Sequence, residues 1–219
     1  MNLIVIGPQA SGKGTQASLL KEKLGLFHLS TGVALREASK NKTDLGKRIK
    51  KYLEAGKLVP DEILEKVVGK LLTKGNLKKG IIFDGTPRVE NQLFVLEEML
   101  AQKKASIDRV IYIKLNKEKV LKRLSGRVVC DDCGKNYNLL TLPPKKEGIC
   151  DHCEGRLKRR DDESPVAIKE RLSIYQKDTL PILDLFRQKG ILEEVNGERP
   201  IEVIFEDIMG RLKRAGLAK

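Results

Sequence analysis

Short runs of apolar residues alternate with amphipathic stretches of helical period along most of this chain. The first apolar run ends at a glycine-rich turn, and a helical pattern follows from Lys13 to about Leu24. Short apolar strands alternating with helices are typical of a parallel sheet that helices cover on both faces. The predicted strands are 3–6, 81–83, 109–115 and 190–195, and helices are expected at about 117–124 and 200–212.

Two segments interrupt this alternation. Residues 31–60 are predicted to form helices joined by glycines, and Pro60 and Asp61 open the next helix. Residues 127–160 contain turn glycines, the Pro143-Pro144 pair and all four cysteines, and they lie between two helical patterns. We therefore predict a core of residues 1–30, 61–126 and 161–219, a helical insertion at 31–60 and a second inserted module at 127–160.

Composition indicates a globular protein, because 40% of the 219 residues are apolar and 33% are charged. No apolar stretch approaches the roughly 20 residues of a membrane helix. The N-terminus lacks a basic leader, so we expect a cytosolic protein. The net charge of +13 is spread over the chain, including residues 47–51 and 66–79. A solvated surface explains most of that charge, and a small polyanionic ligand fits the remainder.

A phosphate-binding loop is predicted directly after the first strand. Residues 7–13, Gly-Pro-Gln-Ala-Ser-Gly-Lys, match the G-x-x-x-x-G-K pattern and precede a helix. Backbone N–H groups of such a loop, together with the helix N-terminus, hold phosphate oxygens, and Lys13 adds a positive charge. Gly14 follows Lys13 where Ser or Thr is usual, and the hydroxyl comes one residue later at Thr15.

The four cysteines predict one metal site. Cys130 and Cys133 form one C-x-x-C pair, Cys150 and Cys153 form another, and sixteen residues separate the pairs. This spacing is typical of a four-thiolate zinc ribbon. Four protein ligands leave no position for a catalytic water, so we expect structural Zn²⁺.

Several alternatives to this zinc site stay open. His152 lies inside the second pair and offers a replacement ligand, disulfides are disfavoured in the cytosol, and iron or cobalt also binds four thiolates. A zinc ribbon with Lys135, Lys145 and Lys146 is also compatible with a nucleic-acid-binding protein.

Residues 7–15, Ser30-Thr31-Gly32, Asp84-Gly85-Thr86-Pro87-Arg88 and the cysteine module together resemble adenylate kinases of the long form with a zinc-bearing lid. The resemblance spans the chain, and Gly12-Lys13-Gly14-Thr15-Gln16 is that family's form of the loop. It implies a P-loop kinase fold with a central parallel five-stranded sheet flanked by helices, a helical NMP-binding insertion and a small β lid. It also implies an enzyme that transfers a phosphoryl group from MgATP to AMP. The enzyme is expected to be a cytoplasmic monomer that binds ATP and AMP but neither nucleic acid nor membrane.

The resemblance assigns roles to individual residues. The catalytic set it implies is Lys13, Asp84, Arg88, Arg127, Arg160 and Arg171, with Asp84 holding Mg²⁺ through water. The ATP set is Ala10, Ser11, Gly12, Lys13, Gly14, Thr15, Arg123, Arg127, Asn136, Tyr137 and Arg199. The AMP set is Thr31, Arg36, Lys57, Leu58, Val59, Gly85, Thr86, Pro87, Arg88, Gln92, Arg160 and Arg171. Zinc ligands are Cys130, Cys133, Cys150 and Cys153.

Within this resemblance, Gln92 reads the adenine edge of AMP, Arg123 lies against the ATP adenine, and Gly126 lies near the lid hinge. Three positions depart from the family pattern: Ala10 replaces a glycine, Val33 an aspartate and Thr86 a phenylalanine. The last two lie near the expected AMP pocket, so a monophosphate kinase with another base preference stays an alternative.

Overall fold

The computed structural model describes residues 1–218. Within that range, eight strands form two sheets. The strands are β1 (Asn2–Ile6), β2 (Phe27–Ser30), β3 (Ile81–Asp84), β4 (Arg109–Lys114), β5 (Arg127–Cys130), β6 (Asn136–Asn138), β7 (Leu157–Lys158) and β8 (Leu192–Asn196).

The connections between the strands are largely helical. The helices are α1 (Lys13–Leu24), α2 (Thr31–Lys40), α3 (Asp44–Glu54), α4 (Asp61–Leu71), α5 (Lys74–Lys79), α6 (Glu90–Ala101), α7 (Lys117–Ser125), α8 (Pro165–Ile174), α9 (Leu180–Gln188) and α10 (Ile201–Arg214). A π-helical turn, Tyr175–Thr179, joins α8 to α9. Among the described residues, no helix combines the length and apolarity needed to cross a membrane.

The larger sheet has five strands in the order β2-β3-β1-β4-β8, and all its neighbours are parallel. The predicted five-stranded parallel sheet is therefore confirmed. The hydrophobic pattern located four of its strands and missed β2. That strand has four residues at the edge of the sheet, and only Leu29 among them is buried.

Side chains of the central strand point alternately into two hydrophobic clusters, as the period of a β-strand requires. Ile4 and Ile6 join the cluster on one face of the sheet, and Leu3 and Val5 join the cluster on the other. Buried strands with apolar residues on both faces explain the continuous apolar runs in the sequence. The carboxyl ends of β1 and β3 therefore lead into loops at one edge of a rigid sheet.

The two insertions differ in how they are stabilised. The helical insertion shares the main core, because its Leu35 and Ile49 belong to the same cluster as Ile4. Residues 127–160 instead form a three-stranded antiparallel sheet of β6-β5-β7. That module, which we call the lid, has a separate small cluster of Cys130, Tyr137 and Cys150 with Val128 and Leu157 packed against it. The exact domain boundaries stay a prediction.

Candidate active site

The glycine-rich loop lies between β1 and α1, at the carboxyl edge of the sheet. Gly12 has φ of 95° and immediately precedes α1, and this left-handed conformation favours glycine. The Lys13 ammonium folds back over the loop, where it donates hydrogen bonds to the carbonyl oxygens of Gly7 at 2.9 Å and Pro8 at 2.7 Å. Burial lowers the pKa of Lys13 to about 8, although Asp84 opposes the shift. A buried ammonium of this kind is poised for an anionic ligand.

Ala10 adopts the left-handed region with φ of 55°. A Cβ in this region costs about 1–2 kcal/mol, which explains why glycine is usual there. The methyl group packs against the cluster of Leu115, Val120 and Leu124, and this burial offsets part of the strain. Ser11 is fully buried beneath the loop, and its hydroxyl has no hydrogen-bond partner among the described residues.

Arg123 lies beside the same loop. Its guanidinium donates to the carbonyl of Gly197 at 2.9 Å and approaches the carbonyls of Ala10 and Ser11 at 3.4 Å. The carbonyl of Arg123 accepts a hydrogen bond from the lid residue Asn138 at 2.6 Å. A planar guanidinium is thus held at the rim of the loop, next to the root of the lid. This position is compatible with stacking on a base.

Five of the predicted arginines converge opposite the loop, although they come from separate segments. Asp162 accepts from Arg160 at 2.9 and 2.7 Å and from Arg171 at 2.9 Å. Glu163 pairs with Arg127 and approaches Arg160 at 3.4 Å. The cluster consists of Arg36, Arg88, Arg127, Arg160 and Arg171.

The cluster carries more positive than negative charge. Burial and neighbouring arginines lower the pKa of Arg127 to about 9 and that of Arg36 to about 10. Burial alone would raise the pKa of Asp162, yet the hydrogen bond and charge of Arg160 hold it far below its usual range. Five guanidinium groups thus face two carboxylates, and the excess charge favours a polyanion. Neither carboxylate was assigned a role from the sequence.

Asp84 ends β3 directly beside the loop. A Cβ on Gly14 would lie 3.5 Å from Asp84 Oδ2, so the carboxylate lies against the start of α1. His28 Nε2 is 3.3 Å from the same oxygen. Burial opposes ionisation of Asp84, but the hydrogen bond from His28 and the charge of Lys13 lower its pKa below the ordinary value. Asp84 is therefore a largely buried carboxylate next to the phosphate loop. Its contact with His28 was not predicted from the sequence.

Residues 85–88 form the other wall of the site. Gly85 has φ of 90°, and a Cβ there would lie 2.7 Å from the Thr31 hydroxyl. That hydroxyl lies 3.3 Å from the Asp84 carbonyl. A cavity of about 70 Å³ extends between the loop and this wall. Predicted residues that line it are Lys13, Leu58, Gly85, Thr86, Pro87, Arg88 and Arg171.

Gln92 is buried within the wall, and its side-chain amide is engaged by the protein. Its Oε1 accepts from the Arg88 backbone N–H at 2.9 Å, and its Nε2 donates to Asp61 Oδ1 at 3.2 Å. A smaller cavity of about 20 Å³ adjoins Gln92 and Thr86. In this arrangement Gln92 supports Arg88, a role that the sequence did not indicate.

The outer residues of the AMP set differ in burial, and Leu58 lines the cavity of about 70 Å³. Val59 is buried, Leu58 is half-buried, and Lys57 is exposed. Val33, the second departure from the family pattern, is 49% exposed on α2. Thr86, the third departure, is buried and borders both cavities.

Comparison with known proteins agrees with this geometry. The model of the family described as adenylate kinase matches residues 5–191. An adenylate kinase from Archaeoglobus fulgidus is 42% identical over 214 residues, covering 98% of this chain and 99% of that protein. One from Caldicellulosiruptor saccharolyticus is 41% identical over 97% of this chain and 99% of its own length. One from Oceanobacillus iheyensis is 42% identical over 98% and 100%.

The chain belongs to the adenylate kinase family. The family resemblance read from the sequence is thereby confirmed, and with it the class of enzyme, a nucleoside monophosphate kinase. The match also agrees with the form of the phosphate loop, in which the hydroxyl stands at Thr15 and not directly after Lys13. The resemblance had assigned this form of the loop to adenylate kinases. The roles of individual residues in this family member are proposals.

The lid of this adenylate kinase family member brings its four cysteines together. The four Sγ atoms all lie within 4.8 Å of one another, with Cys130 and Cys153 at 3.4 Å and Cys133 and Cys150 at 3.6 Å. These separations are far longer than an S–S bond of about 2.05 Å, and the cysteines are free. Tetrahedral zinc with bonds of about 2.3 Å requires sulfurs about 3.8 Å apart, so the set fits zinc. Among the described residues, the His152 imidazole is not part of the ligand cluster, whereas the His152 backbone N–H donates to Cys150 Sγ at 3.4 Å.

Tyr137 is buried in the lid, with only 4% of its surface exposed. Its hydroxyl accepts a hydrogen bond from the Asp151 backbone N–H at 2.8 Å and lies 3.4 Å from Cys150 Sγ. The side chain therefore faces the cysteine cluster, and the expected contact of this residue with ATP does not fit its side chain. Asn136 is exposed beside it. Arg199 pairs with Asp207 of α10 and donates to the Asn196 carbonyl at 3.2 Å.

Proposed function

We propose that this chain catalyses reversible phosphoryl transfer from MgATP to AMP, giving two ADP. The observation that carries this proposal is the convergence of five guanidinium groups opposite a phosphate-binding loop. Phosphoryl transfer needs positioning and neutralisation of negative charge more than an acid–base pair. Family membership supports the same reaction.

The loop side of the site is proposed to hold ATP. Backbone N–H groups of residues 10–15 would surround the phosphates, and Lys13 would exchange its carbonyl partners for phosphate oxygens. Arg123 is placed at the rim, where its planar group can lie against the adenine. Arg199 and the backbone of residues 136–137 complete the proposed ATP set.

The wall formed by residues 85–88 is proposed to hold AMP. Thr31, Arg36 and Arg88 would face its phosphate, whereas Leu58 and Thr86 border space for the nucleoside and Val59 lies next to Leu58 in the chain. Both ends of the Gln92 amide are engaged, and we propose that Gln92 exchanges its bond to Asp61 for one to the base. We propose that this exchange accompanies AMP binding.

Arg88, Arg127, Arg160 and Arg171 are proposed to surround the transferring group. Their forked N–H groups match phosphate oxygens, and they neutralise the charge that develops between the two nucleotides. Asp162 and Glu163 keep Arg127, Arg160 and Arg171 paired and in place without a ligand. Mg²⁺ bound with ATP would neutralise further charge, and we propose that Asp84, beside the start of α1, would hold it through water.

Exclusion of water is the second requirement, because water would otherwise accept the phosphoryl group. Arg171 donates to the carbonyl of Leu53 in the helical insertion at 2.9 Å and to Asp162 at 2.9 Å. Arg36 of the insertion lies 3.9 Å from the same carboxylate. These contacts tie the insertion to the core segment that directly follows the lid. We propose that both modules close over the nucleotides, with Gly126 near the hinge of the lid.

The lid is proposed to bind structural Zn²⁺ through Cys130, Cys133, Cys150 and Cys153. The metal would supply the stability that the small lid cluster cannot provide alone. We further propose that the enzyme is a monomer in the cytoplasm with no nucleic-acid partner.

A coupled assay with MgATP and AMP, GMP, CMP or UMP as acceptor tests the proposed function. We expect AMP to be preferred by at least about 100-fold in kcat/KM, because a base-reading site penalises unpaired polar groups. A preference for UMP or CMP would contradict the assignment of AMP. Binding of RNA that weakens with salt, without phosphoryl transfer to any monophosphate, would favour the nucleic-acid alternative.

A further inference from the structure

A π-helical turn, Tyr175–Thr179, interrupts the long helical segment that follows the lid. Leu180 N donates to the carbonyl of Tyr175, five residues earlier, in place of the usual four. Pro181 explains the interruption, because it has no N–H to donate and its ring is incompatible with the carbonyl of Lys177 in a regular α-helix. The chain thus carries a widened turn at a defined position beside the active site.

The turn directs the Thr179 side chain out of its own helix. A threonine within a helix usually donates its hydroxyl to a carbonyl three or four residues earlier. Thr179 instead donates to the carbonyl of Arg88 at 2.7 Å, across 91 residues of sequence. Thr179 is buried, with 6% of its surface exposed, so water does not readily replace this bond.

The backbone of Arg88 is therefore fixed from two sides. Its N–H donates to Gln92 Oε1 at 2.9 Å, and its carbonyl accepts from Thr179. The guanidinium is restrained as well, since Nε donates to the Gly85 carbonyl at 2.9 Å. Arg88 is the terminal residue of the wall that faces the phosphate loop, so these three bonds determine where its remaining N–H groups point.

Arg88 also differs from the rest of the arginine cluster in its charge partners. The ion pairs of the cluster join Asp162 and Glu163 to the other four arginines, and none within the described residues involves Arg88. Burial and the charge of Arg171 lower the pKa of Arg88 to about 10. The Arg88 guanidinium has no carboxylate partner and is therefore available for an anionic ligand. The direction in which its N–H groups point depends on the position of the Arg88 backbone.

We propose that Thr179 is a positioning residue for Arg88, and that the π-turn created by Pro181 aims its hydroxyl at the Arg88 carbonyl. This inference rests on the proposed function, in which Arg88 binds the phosphate of AMP. Loss of the hydroxyl would leave a buried carbonyl unsatisfied, and the loop 85–88 would shift to find another donor. Such a shift would misdirect the guanidinium while leaving the ATP loop untouched.

The test compares Thr179→Val, which removes the hydroxyl but keeps the branched shape, with Thr179→Ser, which keeps the hydroxyl. Thr73→Val is the matched control, because the Thr73 hydroxyl only caps α5 through Asn76 N. We expect Thr179→Val to raise the Kd of AMP, measured by titration calorimetry, and the KM of AMP about tenfold. The KM of ATP should change less than twofold, and Thr179→Ser should stay within threefold of the unchanged chain.

Several outcomes would overturn this inference. They are unchanged AMP binding in Thr179→Val, equal losses for AMP and ATP, or failure of Thr179→Ser to restore AMP binding. If Thr179→Val does not fold, the test depends on Thr179→Ser. A Thr179→Ser variant that has the Tm of the unchanged chain but binds AMP more weakly, despite its hydroxyl, would count against the proposal. Absence of phosphoryl transfer to AMP by the unchanged chain would instead refute the proposed function.

Discussion

Replacing Arg88 with lysine is expected to lower kcat for phosphoryl transfer about a thousandfold, since one well-placed donor or guanidinium contributes this much to related reactions. Lysine keeps the charge but cannot fork onto two phosphate oxygens or donate from Nε to Gly85. Because Arg88 has no ion pair in the described structure, its replacement should leave the Tm unchanged or slightly raised. Steady-state kinetics and calorimetric unfolding measure the two effects separately.

Two further variants make this prediction specific. Arg160→Lys disturbs the paired contacts with Asp162, so it should lower the Tm as well as kcat. Arg187→Lys alters an exposed guanidinium that pairs with Asp184 and Glu194, and it should change neither kcat nor the Tm appreciably. An Arg88→Lys enzyme that keeps more than a tenth of the kcat of the unchanged chain would show that Arg88 does not act on the transferring group.

Removing metal from the lid is expected to lower the Tm by about 10 °C or more. The lid cluster contains only three buried residues and two partly buried ones, and this apolar core is too small to stabilise the module alone. Loss of about 4 kcal/mol of metal-linked stability corresponds to such a shift in a protein of this size. Scanning calorimetry before and after chelation measures it, and elemental analysis identifies the metal.

The matched control is a double variant, Cys133→Ser with Cys153→Ser, which changes the two exposed ligands and leaves the buried pair in place. Chelation should not lower the Tm of this variant further, whereas added Zn²⁺ should restore the chelated unchanged chain. Equal Tm with and without metal would contradict a stabilising metal in the lid.

The sequence was most informative where local chemistry determines local structure. The predicted helix after the phosphate loop, Lys13 to about Leu24, agrees with α1, because Gly12 and Gly25 adopt left-handed angles at its two ends. The strand runs at 81–83 and 109–115 agree with β3 and β4 within one residue at each end. The cysteine spacing likewise predicted a cluster that the structure confirms.

Long-range packing explains what was missed. Strand β2 has four residues, and it pairs only with β3 at the edge of the sheet, so its sequence carries little periodicity. Nothing in the local sequence shows that Gln92 meets Asp61 or that Tyr137 faces Cys150, because those contacts join segments 31 and 13 residues apart. The resemblance placed both residues near nucleotides, and the fold shows that each also has a structural partner.

The arginine cluster could be predicted from the sequence only in part. Position relative to the loop and the lid allowed five arginines to be selected from 43 basic residues. Their pairing with Asp162 and Glu163, and the lack of a pair at Arg88 within the described residues, follow only from the three-dimensional arrangement. The sequence thus identifies the participants, whereas the structure distinguishes arginines held by carboxylates from the one held through its backbone.

A crystal structure with two adenosines joined by a five-phosphate chain would test the convergence of these arginines most directly. We predict that Arg88, Arg127, Arg160 and Arg171 donate to the phosphate chain at about 2.7–3.0 Å, with Lys13 released from the Gly7 and Pro8 carbonyls. A structure in which the ligand is bound while Arg127, Arg160 and Arg171 stay on Asp162 and Glu163 would contradict the proposed mechanism, as would one in which Arg88 makes no contact with the phosphates.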